Sequence, residues 1–430
     1  MRAGVAVAEV TPRSPVAMSG FAARTAPSSG VHDPLLVQAL CVGDTALVTV
    51  DVVGLDEAAC AEIRRRCPVP ADRVVVHATH THGGPVSMPG RLGPGLDPTW
   101  LEEVVGTCVD AVGRAAAAQV PVTVRAAAGE RTGVARNRRR PDGPVDDVVP
   151  VVQLVRTDGT VLATVVSYAC HPVVLGADNT LLTADYPAVV RRRVSAATSA
   201  PTLFVTGCAG DANTGHSAQS SISTAAAPGR TFETCEEVGA RIADAVLAAR
   251  PVDAPGPVTA AGTEVRLAYD LPPLDDVAAD RRRWARERAA APPAERALVD
   301  AWIAWADRWL AGAPRSSHHL ATVSVLRWGG ALLVALPGEP SAVAARAVRE
   351  SVRAVRRSAG RTGDGVVPVV AGYSNGCPGY LPSADEYAVG GYEVEDAHRY
   401  YGAPGPFAAG SLEGLLDATT ELVGRVLERP

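Results

Sequence analysis

The sequence predicts a mixed α/β fold with largely parallel sheets, and three observations carry that expectation. A strand, helix, strand pattern recurs three times, the polar motifs of each unit follow directly after its strands, and a β-branched run, Val74-Val75-Val76, delivers three histidines to a loop broken by Gly83-Gly84-Pro85. In parallel sheets ligands gather beyond the carboxyl ends of strands, so one pocket is expected to receive all of these loops.

Taken in order, the first 50 residues read as short strands and turns: a strand over 5–10, a Thr11-Pro12 turn, the loop Ser19-Gly20-Phe21-Ala22-Ala23-Arg24 and the turn Gly30-Val31-His32-Asp33-Pro34. The first unit is a strand over 46–50 ending at Asp51, a helix over 56–66 and a strand over 73–76 that enters the histidine loop. A helix over 98–118 follows, with an apolar stripe of Trp100, Leu101, Val104, Val105, Cys108 and Val112. The basic stretch 132–141 reads as a solvated loop or as an anion or carbonyl contact.

The second unit is a strand over 162–168 ending at Cys170-His171-Pro172, a helix opened by Ala184-Asp185-Tyr186-Pro187 and running to Arg193, and a strand over 202–205 ending in Gly207 to Asn213. The third begins with a hairpin of 322–326 and 331–336 around Gly329-Gly330. Its second strand ends at Pro337-Gly338-Glu339-Pro340, a helix covers 341–357, and a strand over 366–370 leads into Gly372-Tyr373-Ser374-Asn375 and Gly379-Tyr380. Two segments stand outside the scheme. Residues 214–230, rich in Ser, Ala, Gly and Thr, read as a flexible loop beside the pocket. Residues 274–311 read as a helical pair broken at Pro292-Pro293, with Leu298, Trp302, Trp305 and Trp309 on one face, a core stripe with a lid as the alternative. A helix over 411–427 is the last element, and all of 1–430 is expected to be one domain with a helical insertion at 274–311.

Composition narrows the function. Hydrophobic residues at 47% and charged residues at 20% fit a soluble globular protein, and a net charge of −5 argues against a nucleic-acid footprint. All 41 basic residues are arginine, which reflects coding bias rather than function. No run approaches the roughly 20 apolar residues of a membrane span. The first ten residues run straight into a strand pattern without a secretory apolar core, so a cytoplasmic location is expected. The eight cysteines contain no Cys-x-x-Cys pair and read as small buried apolar residues.

The strand ends collect His80, His82, His171, Asp211, Glu339, Tyr373 and Tyr380, with Arg138 in a nearby loop. Alternation in an extended segment places His80 and His82 on one face. Two histidines, a carboxylate and a phenol are suitable ligands for one zinc ion per chain.

The set Ala78-Thr79-His80-Thr81-His82-Gly83-Gly84-Pro85, Ala169-Cys170-His171-Pro172, Pro337-Gly338-Glu339 and Gly372-Tyr373-Ser374-Asn375 through Gly379-Tyr380, with Glu386-Tyr387 and Gly391-Tyr392-Glu393 following, resembles the neutral/alkaline non-lysosomal ceramidase family in its catalytic domain. The resemblance implies a zinc amidase site in which His80, His171, Glu339 and Tyr380 are the metal ligands, His82 is the catalytic histidine and Arg138 lies near the substrate carbonyl. Where the family has a serine in its Gly-Asp-Val-Ser-Pro-Asn loop, this chain has Asn213, within Gly210-Asp211-Ala212-Asn213, so a serine nucleophile is not expected. The chain is also expected to be a short form without the family's immunoglobulin-like C-terminal domain and signal peptide.

On these grounds the expected function is zinc-dependent cleavage of an N-acyl amide in a small or lipid-like substrate. His82 serves as proton carrier, and Arg138 stabilises the developing oxyanion. Asp51, Asp211, Asn213 and Tyr373 are expected to bind substrate or to support the ligands, the two aspartates by orienting a ligand histidine. An esterase, lactonase or acyl-transfer enzyme, a non-catalytic zinc-bearing binding protein, and a two-metal hydrolase using both His80 and His82 stay open as alternatives, as does a homo-oligomer.

Overall fold

A computed structural model describes residues 1–217, 228–358 and 367–428, the side chains of residues 293 and 294 apart. Most of the loop expected over 214–230, and the start of the strand expected at Val366, lie outside the described residues.

Strand alternation explains the layering. In Thr45–Val50, Ala46, Val48 and Val50 join one core while Leu47 joins another, and in Val74–Ala78 the same split separates Val74 and Val76 from Val75. A strand with apolar side chains on both faces needs both faces covered. One side is covered by a second sheet and the other by helices.

The large sheet has nine strands. Its main path runs Thr202–Thr206, Val161–Tyr168, Val149–Arg156, Val120–Gly129, Arg2–Glu9, Leu36–Val42, Thr45–Val50 and Val74–Ala78. The smaller sheet runs Val258–Ala268, His318–Trp328, Ala331–Ala335 and Val369–Ala371. Between them Leu40, Leu47, Val75, Leu154 and Val165 of the first sheet pack with Leu326, Trp328 and Leu333 of the second. Helices Glu57–Arg66 and Pro98–Ala117 cover one half of the large sheet's outer face, and Tyr186–Thr198 and Phe232–Ala248 the other half. Ala342–Ser358 and Ser411–Glu428 cover the small sheet. Helix starts follow their caps: Asp56 accepts from the Ala59 amide at 2.8 Å, and Asp97, ahead of Pro98, accepts from Thr99 and Trp100.

All three expected strand–helix–strand units are present as parallel crossovers, Thr45–Val50 to Val74–Ala78, Val161–Tyr168 to Thr202–Thr206, and Ala331–Ala335 to Val369–Ala371. In the two large sheets parallel pairing is confined to these crossovers. Leu36–Val42, Val120–Gly129, Val149–Arg156 and Val258–Ala268 go beyond the elements expected from sequence and pair antiparallel, Leu36–Val42 with Thr45–Val50 through the tight Gly43-Asp44 link. The second crossover helix starts at Tyr186 and runs to Thr198, five residues past the expected end at Arg193.

Leu274–Ala290 and Pro293–Leu310 form the expected helical pair, with a small core of their own from Val277, Trp284, Val299, Trp305, Ala306 and Trp309. Among the described residues no helix is long and apolar enough to cross a membrane.

Candidate functional site

His77 ties the three crossovers together. It is fully buried, its Nδ1 donates to the Gly372 carbonyl at 3.0 Å, and its Nε2 accepts from the Thr206 amide at 3.0 Å. Burial pushes its imidazole down to about 3, so it stays a neutral donor–acceptor strut. The Gly372 amide donates to the Thr206 carbonyl, and the Ala78 amide to Tyr373. The carboxyl ends of the strands are thus laced into one edge, and the loops leaving them share one space.

In that space His80 and His171 have the same hydrogen-bonding logic. His80 Nδ1 lies 2.5 Å from the Val53 carbonyl, and His171 Nδ1 lies 2.6 Å from the Ala209 carbonyl. A carbonyl can only accept, so both Nδ1 atoms carry the proton and both Nε2 atoms present lone pairs. These face one oxygen, Glu339 Oε2, at 3.3 Å from His80 and 2.9 Å from His171. Burial drives the His171 imidazole down to about 4, which keeps it neutral at neutral pH. Burial also pushes the Glu339 carboxyl up, and it is positive charge on its His80 and His171 side that pulls it below the usual carboxylate range. Lone pairs set against a carboxylate repel one another unless a cation sits among them, so the donor set fits a bound metal ion. Among the described residues, His80, His82 and His171 form a group whose ligand atoms lie within 4.8 Å of one another.

The phenols complete the cluster. Tyr373 stacks on His80 at 4.0 Å between ring centres and points its hydroxyl at Glu339 Oε2 at 3.4 Å. The Tyr380 hydroxyl lies 3.4 Å from His171 Nε2 and receives Arg138 Nη2 at 3.0 Å. Burial pushes the Tyr380 hydroxyl up, while Arg138 pulls the other way. Tyr401, which the sequence reading missed, donates to Glu339 Oε1. A signal for it was present: six of the nine tyrosines lie between Tyr373 and Tyr401.

His82 is placed differently from the other two. It is half-buried, opens on a cavity, and its Nδ1 has no partner among the described residues. Its Nε2 is 3.4 Å from that of His80. Burial pushes its imidazole well down, so the ring is neutral.

Arg138 is held by a ladder of buried charges: its Nε donates to Glu393 at 2.7 Å, Arg139 bridges Glu393 at 2.5 Å and Glu386 at 2.6 Å, and Arg140 also reaches Glu386. Arg138 and Arg139 of the basic stretch 132–141 are therefore buried in ion pairs rather than solvated.

Asp51 and Asp211 do not orient His80 or His171, against the expectation. The backbone carbonyls of Val53 and Ala209 fill that role, leaving the carboxylates to other partners. Asp51 accepts two bonds from Arg191, at 2.7 and 2.6 Å, and one from Thr79 at 3.0 Å. Asp211 accepts from the Ala342 amide at 2.7 Å and from Asn137 at 3.1 Å. Asn213 closes its own turn by accepting from the Gly215 and His216 amides at 2.8 and 2.9 Å.

The cavity holds about 620 Å³ and is lined in part by His82, Arg138 and Tyr380. Leu298, Ala301 and Trp305 of Pro293–Leu310 also line it. The aromatic stripe is thus shared: Trp309 packs in the helical pair's own core, while Trp305 belongs both to that core and to the cavity.

A two-sheet α/β protein with a buried histidine–glutamate–tyrosine cluster under an apolar cavity is the class these features define. No protein-family model and no curated protein sequence matches the chain. Among solved structures it is similar to the neutral ceramidase from Pseudomonas aeruginosa, with a TM-score of 0.75 at 17% identity, over 100% of this chain and 74% of that one. It is also similar to a ceramidase complexed with C2, with a TM-score of 0.74 at 16% identity, over 100% of this chain and 75% of that one. The fold is that of these ceramidase structures, and it is the fold the sequence resemblance implies.

Proposed function

We propose that this chain is a zinc-dependent hydrolase that cleaves the amide bond of an N-acyl substrate, small or lipid-like. The observation that carries the reading is the convergence of the His80 and His171 Nε2 lone pairs on Glu339, beside a cavity onto which a neutral His82 opens. The shared fold with two ceramidases supports an acyl-amide substrate.

His80, His171, Glu339 and Tyr380 are the residues that would hold the ion. The chemistry zinc supplies when bound is Lewis acidity toward a carbonyl oxygen and a water whose pKa falls from about 15.7 to about 7. His82 takes the proton of the attacking water and returns it to the leaving nitrogen. Arg138, locked by Glu393, directs a fixed positive charge at the carbonyl oxygen as negative charge develops there. The apolar cavity wall excludes competing water and receives the acyl group.

A second reading makes His82 a ligand with His80 and His171, because the three rings group within ligand distance of one another. Zinc content decides between the two. Purified protein is expected to carry about one zinc per chain, His171→Ala to lose it, and His82→Ala to keep it while losing turnover of N-acyl substrates. Loss of zinc in His82→Ala establishes the three-histidine site. Metal-free wild-type protein, or undiminished turnover in His82→Ala, overturns the hydrolase reading.

A further inference from the structure

The loop 19–24 has no part in the chemistry above, yet it is packed directly on His82. A Cβ at Gly20 would lie 2.4 Å from His82 Nδ1, the Phe21 ring stands edge-on to His82 at 4.8 Å, and Arg24 Nη2 donates to the His82 carbonyl at 2.6 Å. Arg24 is only 7% exposed and lines the cavity. Its acceptors are all neutral backbone carbonyls, those of Ser19, His82 and Asn179, and its Nε proton has no acceptor among the described residues.

Four other buried arginines are balanced by carboxylates. Arg138, Arg139, Arg191 and Arg349 each pair with a carboxylate at 2.7 Å or less. Arg24 has no such partner among the described residues. A buried cation balanced only by backbone dipoles and the Phe21 ring face, 5.1 Å from its guanidinium carbon, is costly, and burial lowers its pKa from the usual arginine range to about 9. The cavity offers no counter-charge: Asp300 is the carboxylate in its lining, and Arg288 already occupies it. Leu298, Trp305 and Tyr400 give the same lining an apolar and aromatic stretch.

We propose that Arg24 is the counter-charge for a carboxylate on the substrate, so that the substrates are N-acyl amino acids, with the acyl chain along the Leu298–Trp305 wall. The spacing favours this class. Arg24 bonds the backbone of the same residue whose side chain serves as proton carrier, and in an N-acyl amino acid the carboxylate stands one carbon from the amide nitrogen. The inference rests on the N-acyl hydrolase reading for the identity of the scissile bond. The anion site itself rests on Arg24 alone.

Calorimetric binding of N-lauroylglycine and of N-lauroylglycinamide to the zinc-loaded protein tests it, because the two differ only in the carboxylate. The acid is expected to bind about tenfold tighter or better. In Arg24→Gln that advantage falls below about twofold with zinc content retained, and Arg24→Lys keeps part of it. Equal binding of acid and amide to the wild type overturns the carboxylate site, as does an advantage that survives in Arg24→Gln. Should Arg24→Gln not fold, the wild-type pair and Arg24→Lys still decide. Turnover is measured separately: a preserved binding preference without hydrolysis overturns the hydrolase reading alone, whereas hydrolysis with no binding preference overturns the carboxylate site alone.

Discussion

Removing the charge of Asp51 by Asp51→Asn is expected to destabilise the protein by about 3 kcal/mol, the low end of the cost of breaking a buried pair. The magnitude follows from what the carboxylate does. It is fully buried, and its two oxygens accept four bonds: from Arg191 at 2.7 and 2.6 Å, from Thr79 at 3.0 Å and from the Leu36 amide at 2.8 Å. Asparagine keeps the acceptor for one pair but turns an N–H group toward the other, so an Arg191 N–H and the Leu36 N–H lose their partner while the guanidinium stays buried. Urea denaturation reads the loss directly. A double-mutant cycle with Arg191→Met assigns it to the pair, with an expected coupling of about 2 kcal/mol. Because Thr79 precedes His80, zinc affinity is expected to fall as well. An Asp51→Asn protein within about 1 kcal/mol of the wild type, or a cycle without coupling, refutes the view that this pair braces the histidine loop.

Two further outcomes follow from the charge network. Glu393→Gln removes the carboxylate that fixes Arg138 Nε at 2.7 Å and is expected to cut N-acyl turnover by about tenfold or more with zinc still bound, measured as kcat beside metal content. Asp185 is raised to about 6, chiefly by burial, with the nearby Asp33 adding to the shift. A carboxyl raised in the folded state binds its proton more tightly folded than unfolded, so its contribution to stability is present below about pH 4 and is lost as pH rises to about 6. Asp185→Asn, which keeps an oxygen to cap Tyr186, is therefore expected to gain on the wild type between pH 4 and 7 in urea denaturation, and a constant difference across that range contradicts the assignment.

The three crossovers were legible because their strands are apolar on both faces and end abruptly in polar motifs. The strands between them were not. Val120–Gly129 reads VPVTVRAAAG and Val258–Ala268 reads VTAAGTEVRLA, small and mixed residues whose pairing is set by partners far along the chain rather than by a local period. Within the site, His80, His171, Glu339 and Tyr380 were foreseen as a set, and the structure brings them together. The roles given to Asp51 and Asp211 failed for one reason: backbone carbonyls orient the imidazoles, and a carbonyl leaves no mark in a sequence. Tyr401 and the Glu386–Arg139–Glu393 ladder escaped because their roles depend on loops that meet only in three dimensions.

The histidine loop shows how an expectation can reach the right arrangement by the wrong route. Alternation along an extended strand predicts that His80 and His82 share a face, and their Nε2 atoms do lie 3.4 Å apart. But the strand ends at Ala78, and His80 has a φ of +64°, a left-handed conformation that a strand does not contain. Alternation governs only His77, which it turns inward to bond Thr206 and Gly372. Beyond Ala78 the His80 amide donates to the Val52 carbonyl and the Thr81 hydroxyl to the Thr183 carbonyl, so His80 and His82 are placed by bonds to backbone carbonyls of the first and second crossovers. Local strain of this kind persists only where its surroundings over-determine it. Here the surroundings are the laced strand ends, which is why the braces at Asp51 and His77, neither of which touches the cavity, bear on the chemistry as directly as the residues that line it.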